Sequence, residues 1–186
     1  EITRSKELQR KAWKSMMYCY SRSGNAEGLN RIASKVVNDE TIDADLKYQS
    51  KLIVYKSNSD SSMSYEDKLV QLRSIYEGND NRFAAEAKYL EAEVYYDIDS
   101  TELAKESCYA LLENYNGYDE WVGKALLLLG DAFAKENDDF NAKVTWNTIV
   151  ENFTDPAIVN PAKEKIAEAD ERQNNKEEEK EEPTSE

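Results

Sequence analysis

Histidine is absent from this chain of 186 residues, which also holds only two cysteines, six glycines and three prolines. Without histidine there is no Ser-His or Cys-His nucleophile pair and no zinc site with an imidazole ligand. The two cysteines, Cys19 and Cys108, match neither a metal spacing nor a disulfide framework. A glycine-rich phosphate loop is missing as well. We therefore expect no enzyme activity, no metal and no cofactor.

Positive charge and long apolar runs are also scarce. Lys and Arg number 24 against 38 Asp and Glu, and the resulting formal net charge of −14 repels nucleic acid and anionic lipid. The longest purely aliphatic run is Leu126 to Leu129, whereas a membrane-spanning helix needs about 20 apolar residues. We therefore expect neither nucleic-acid binding nor direct membrane insertion. The chain begins at Glu1 without a signal sequence, which indicates a fragment of a longer protein.

Apolar residues recur with the spacing of amphipathic helices. Trp13, Met16, Met17 and Tyr20 follow the i, i+3, i+4, i+7 pattern, and few glycines or prolines interrupt the body of the chain. The sequence therefore predicts helices at about 5–22, 26–37, 43–57, 65–76, 82–97, 100–115, 120–136, 139–152 and 161–173.

An internal period relates these helices to one another. Aromatic residues near the end of alternate helices, namely Tyr20, Tyr55, Tyr95 and Phe133, are separated by steps of 35, 40 and 38 residues. Helix pairs of this size cannot bury their apolar sides alone, so neighbouring pairs must stack into a continuous core.

The stretch from Leu126 to Trp146 resembles a tetratricopeptide repeat (TPR). Six of the eight signature positions are matched there, by Leu126, Leu129, Gly130, Phe133, Ala142 and Trp146. Weaker copies keep the repeat-packing residues Trp13, Tyr20, Ala92, Tyr95 and Ala104. In the second copy either Ile53 or Tyr55 can take the aromatic position, so two registers stay open.

This resemblance implies an all-α fold, a right-handed α-solenoid of about four helix pairs followed by a capping helix. The domain would cover residues 1–173. Its repeats would lie at about 5–38, 43–77, 82–116 and 120–153, with the capping helix at 160–173. Residues 174–186 are acidic and are predicted to be a disordered tail. The linkers between the predicted helix pairs are long and resemble those of bacterial TPR arrays related to cell-envelope assembly. This resemblance favours a location in the cell envelope.

In the TPR family the first helix of each pair lines a concave groove. Carried over position by position, the groove residues would be Lys14, Tyr18, Arg22, Tyr89, Glu93, Tyr96, Asp97, Asp131 and Lys135, with Gln49 and Lys56 as one choice in the second copy. The resemblance implies a non-catalytic scaffold that binds a peptide or helix of a protein partner there. Alternatively the tyrosines only pack between repeats, and the segment is a structural spacer that self-associates through its exposed amino-terminal face.

The paired carboxylates that include Asp99 and Asp138 have a simpler interpretation than a metal site, and the two cysteines have a simpler one than reactive thiols. Asp99 and Asp138 fall at predicted helix starts, so we interpret them as caps rather than as metal ligands. Cys108 falls at a packing position and Cys19 beside one, so we interpret both as small buried residues.

Overall fold

The computed structural model describes residues 2–59 and 63–181, and within these ranges every regular element is an α-helix. The helices are α1 (Ile2–Arg22), α2 (Ala26–Val37), α3 (Ala44–Asn58), α4 (Tyr65–Tyr76), α5 (Arg82–Asp97), α6 (Thr101–Asn114), α7 (Asp119–Lys135), α8 (Asp139–Asn152) and α9 (Pro156–Glu181). The all-α fold class is confirmed.

Polar side chains fix where several of these helices begin. A side-chain oxygen accepts a hydrogen bond from the backbone N–H three residues further on, which satisfies one of the amides that have no partner within the helix. The residues that cap in this way are Asn25, Asp43, Ser64 and Asp138. Sequence signals of this kind are local, and they explain why the predicted boundaries of these helices agree with the observed ones.

The last helix differs from its prediction at both ends. α9 begins at Pro156 rather than at 160, because Asp155 accepts hydrogen bonds from the backbone of the next turn, including Ala157 N–H to Asp155 Oδ1 at 2.9 Å. Pro161 therefore lies inside the helix. Residues 174–181 are helical although we expected disorder there, since most of them are Glu or Lys, which are good helix formers. Residues 182–186 lie outside the described residues.

The chain divides into two compact units, Glu1–Glu91 and Ala92–Glu186. In the first unit α2 packs against α1 and α3, around a buried cluster of Met17, Ile32, Val36, Ile42 and Leu46. Tyr55 of α3 is 5% exposed, whereas Ile53 is only partly buried at the edge of this cluster. The structure therefore favours the register in which Tyr55 takes the aromatic position.

In the second unit α7 contacts α6, α8 and α9, and the buried cluster is formed by Ala142, Trp146, Ile149, Ile158, Val159, Ala162 and Ala169. The indole of Trp146 lies against Gly130 of α7. A Cβ atom added to Gly130 would lie 2.2 Å from Trp146 Nε1. The glycine is therefore what allows the large ring to approach α7 so closely.

A charged side chain is buried in the first unit. Glu91 of α5 is 2% exposed and occupies a position that is usually apolar in the family. Three neighbours donate to its carboxylate: Tyr76 Oη at 2.8 Å, Lys88 Nζ at 2.5 Å and, more weakly, Arg73 Nε at 3.4 Å. Burying a carboxylate is tolerated only with such partners. The hydrogen-bonded group thus links α4 to α5 in place of an apolar contact.

Candidate partner-binding face

The nine predicted groove residues are divided between the two compact units. Lys14, Tyr18 and Arg22 lie on α1, and Tyr89 lies in the part of α5 that belongs to the first unit. The other five lie in the second unit, on the end of α5 and on α7: Glu93, Tyr96, Asp97, Asp131 and Lys135.

The α1 residues are exposed. Lys14 Nζ lies 3.0 Å from Asp43 Oδ2, the carboxylate that caps α3. Tyr18 is 66% exposed, and the Arg22 guanidinium carbon lies 5.9 Å from the centre of its ring. These side chains therefore line a solvent-facing surface of the first unit.

In the second unit, Lys135 of α7 reaches the end of α5. Its Nζ lies 4.3 Å from the centre of the Tyr96 ring, donates to the Tyr96 carbonyl at 3.1 Å and lies 2.5 Å from Asp99 Oδ1. The hydrogen bond to Asp99 is the main reason that the pKa of Lys135 is raised, and the charge of Asp97 contributes in the same direction. One lysine therefore orients an aromatic ring and lies near two carboxylates.

Asp99 has a different role from the one we predicted. Its φ angle is +59°, a left-handed conformation, and Ser100 rather than Asp99 occupies the cap position of α6. The Asp99 side chain instead contributes to the Lys135 cluster. Asp138, by contrast, does cap α8 through a hydrogen bond from Asn141 N–H at 3.1 Å. Cys108 is buried as expected, but Cys19 is exposed, because it lies on the side of α1 that no other helix of the first unit covers.

Asp131 of α7 is joined to α9. Lys165 Nζ lies 2.8 Å from one oxygen of Asp131 and 3.0 Å from the other. Burial raises the pKa of Asp131, while hydrogen bonds from Lys165 and Trp146 act in the opposite direction. The sequence did not predict a role for Lys165, because the last helix was interpreted only as a capping helix. No sequence signal near Lys165 identifies Asp131 as its partner.

Six of these side chains lie on the first helices of successive pairs, and we name them the first-helix face: Glu93, Tyr96, Asp97, Asp131, Lys135 and Lys165. They offer an aromatic ring and charges of both signs, and Lys135 and Lys165 are held by ion pairs to a neighbouring helix or turn. Charged hydrogen-bonding groups of this kind suit polar recognition. Among the described residues there is no cluster of three or more metal-ligating side chains, and none of the helices in those ranges could span a bilayer.

Comparison with known proteins bears on the fold alone. No protein-family model and no curated protein sequence matches the chain. Among solved structures, the MamA RS-1 ArsTM double mutant, a TPR-fold protein, is similar over 88% of this chain and 96% of that chain, with a TM-score of 0.56 and 17% identity. The chain has a TPR-like helical-repeat fold. At this level of identity the likeness concerns the arrangement of helices alone.

Proposed function

We propose that this chain is a non-catalytic scaffold whose first-helix face binds a peptide or helix of a protein partner. Helical-repeat folds expose extended faces of this kind, which supports the proposal at the level of fold. The observation that carries it is the pair of charged clusters, Lys135 with Tyr96 and Asp99, and Lys165 with Asp131.

These clusters lower the cost of binding. An exposed lysine or tyrosine loses about 0.5–1.5 kcal/mol of side-chain freedom when a partner immobilises it. Here the contact between Lys135 of α7 and Tyr96 of α5 already restrains both side chains. Part of the loss of side-chain freedom therefore occurs on folding rather than on binding. Tyrosine adds a large, rigid contact with a hydroxyl group, which is the chemistry found at energetically dominant positions of protein interfaces.

The proposal is tested by affinity capture from lysate with the chain and its Glu93→Ala/Tyr96→Ala variant, read by mass spectrometry. We expect at least one protein to be retained by the chain and lost with the variant. The matched control is Tyr65→Ala/Glu66→Ala, which removes the same two residue types from the exposed surface of α4. The control should retain the same protein.

Thermal melting of both variants separates loss of binding from loss of fold. Equal capture by the parent and the Glu93→Ala/Tyr96→Ala variant would contradict the proposal, and so would equal loss in the control. The wider groove that includes Lys14, Tyr18, Arg22 and Tyr89 stays a prediction, as does a cell-envelope location.

A further inference from the structure

Charge is distributed very unevenly along this acidic chain. α1 holds six basic residues and one acidic residue, although the chain as a whole has a formal net charge of −14. α6 and α8 each contain a single lysine, against three acidic residues on α6 and two on α8. The amino-terminal helix is therefore electrostatically opposite to the second helices of the second unit.

The outer side of α1 combines these cations with apolar groups. Met17 faces the core and is 4% exposed, whereas Leu8 is 61% and Tyr18 66% exposed. Lys11 and Arg22 are exposed on the same outer side by helical spacing. Lys11 Nζ lies 2.8 Å from Glu7 Oε1, but both side chains are exposed, and an exposed ion pair of this kind holds a lysine only weakly. The outer side of α1 thus combines basic residues with two exposed apolar groups.

The outer sides of α6 and α8 carry the complementary groups. On α6, Tyr109 is 50% exposed and lies between Glu106 and Glu113, which follow one another at helical spacing. On α8, Phe140 and Val144 are one turn apart and are 74% and 51% exposed. We name Glu106, Tyr109, Glu113, Phe140 and Val144 the acidic outer face. They point away from the buried residues of the same helices.

The lysines of α6 and α8 do not neutralise this face. Lys105 is 8% exposed and pairs with Glu102 and with Glu136 at the end of α7. Lys143 pairs with Asp170 of α9. Within the part of the chain that the structure describes, Glu106 and Glu113 have no ion-pair partner. On the first-helix face, in contrast, Asp131 and Asp99 each have a lysine.

We propose that the outer side of α1 in one copy of this chain docks on the acidic outer face of a second copy. Leu8 and Tyr18 would cover Tyr109, Phe140 and Val144, while Lys11 and Arg22 would meet Glu106 and Glu113. In this proposal the contact is made in one direction only, without the reciprocal contact that would close a symmetric dimer. Such a heterologous contact extends into rings or open assemblies.

The test is sedimentation velocity of the 186-residue chain over about a hundredfold range of concentration. We expect the weight-average mass to rise with concentration, beyond that of a dimer, and to fall as salt screens the charges over a Debye length of about 10 Å at 0.1 M. A chain that stays monomeric throughout this range would overturn the proposal.

Charge reversal identifies the surfaces. Lys11→Glu/Arg22→Glu and Glu106→Lys/Glu113→Lys should each abolish association alone, and mixing the two variants should restore assemblies in which the two variants alternate. The matched control is Glu164→Lys/Glu171→Lys, which makes the same change of charge on the exposed side of α9. Association that survives reversal of α6, or that the α9 control abolishes equally, would overturn the assignment. Circular dichroism of each variant verifies that it is folded.

Discussion

Gly130→Ala gives the most direct test of how α7 and α8 are packed. The added Cβ would lie 2.2, 2.5 and 2.7 Å from three atoms of the Trp146 indole. That ring is 2% exposed, so it has no free space into which it could move. Its Nε1 donates to the Leu127 carbonyl at 3.3 Å, and displacement would break this hydrogen bond too.

The expected change in the free energy of unfolding combines two costs and one gain. Overpacking of a filled core costs about 1–3 kcal/mol. Loss of a hydrogen bond adds about 0.5–1.5 kcal/mol, and the higher helix propensity of alanine returns about 1 kcal/mol. We therefore expect Gly130→Ala to lower the free energy of unfolding by about 1–3 kcal/mol. In a chain of this size each kcal/mol corresponds to about 2–4 °C in Tm.

Urea denaturation followed by circular dichroism measures this change. Gly117→Ala is the matched control, because nothing lies within 4 Å of a Cβ built on Gly117 in its loop. It should leave stability unchanged or raise it by about 0.4–1 kcal/mol. On a Trp146→Leu background, Gly130→Ala should lose its cost, since the atoms it would meet are gone. A Gly130→Ala protein as stable as the parent would refute the packing of Trp146 on Gly130.

Three further predictions concern single side chains. Glu91→Ala should destabilise the chain by about 1–3 kcal/mol in urea denaturation, because it leaves the partly buried donors of Tyr76 and Lys88 without an acceptor, whereas Tyr76→Phe should cost only about 0.5–1.5 kcal/mol; equal costs would contradict the network. Burial raises the pKa of Asp131 above 3.8, so the folded state favours the protonated carboxyl. The resulting contribution to folding stability is fully present below pH 3.8 and is lost as the pH rises through the folded-state pKa. The stability of the parent relative to Asp131→Asn should therefore fall as the pH rises over that window, and the opposite slope would contradict the burial. Asp155→Ala should cost about 0.5–2 kcal/mol by removing the cap of α9, and unchanged stability would contradict a helix start at Pro156.

The sequence predicted the helices well because their signals are local. Caps such as Asp43 and Asp138 act within one turn, and the apolar period of α1 is visible without knowledge of its neighbours. Contacts between helices are different. Nothing near Lys165 in the sequence shows that Asp131 will be its partner, and the left-handed conformation of Asp99 follows from the turn in which it lies. The candidate site was therefore predicted by position only, while its ion pairs required the structure.

The packing of glycines explains how this chain keeps a repeat fold with so little of the repeat signature. A cross-helix contact needs a fixed total volume, and a glycine on one helix permits a large side chain on the other. α2 places Gly28 under the Tyr20 ring of α1, with Cβ distances of 2.8 Å. α7 places Gly130 under Trp146 and Gly123 under Ile158, the latter at 2.7 Å. Each pair meets the same geometric requirement with different residues on different helices. The same close approach of two helices is therefore available to several residue pairs, so a helical-repeat arrangement does not depend on one fixed pair of residues.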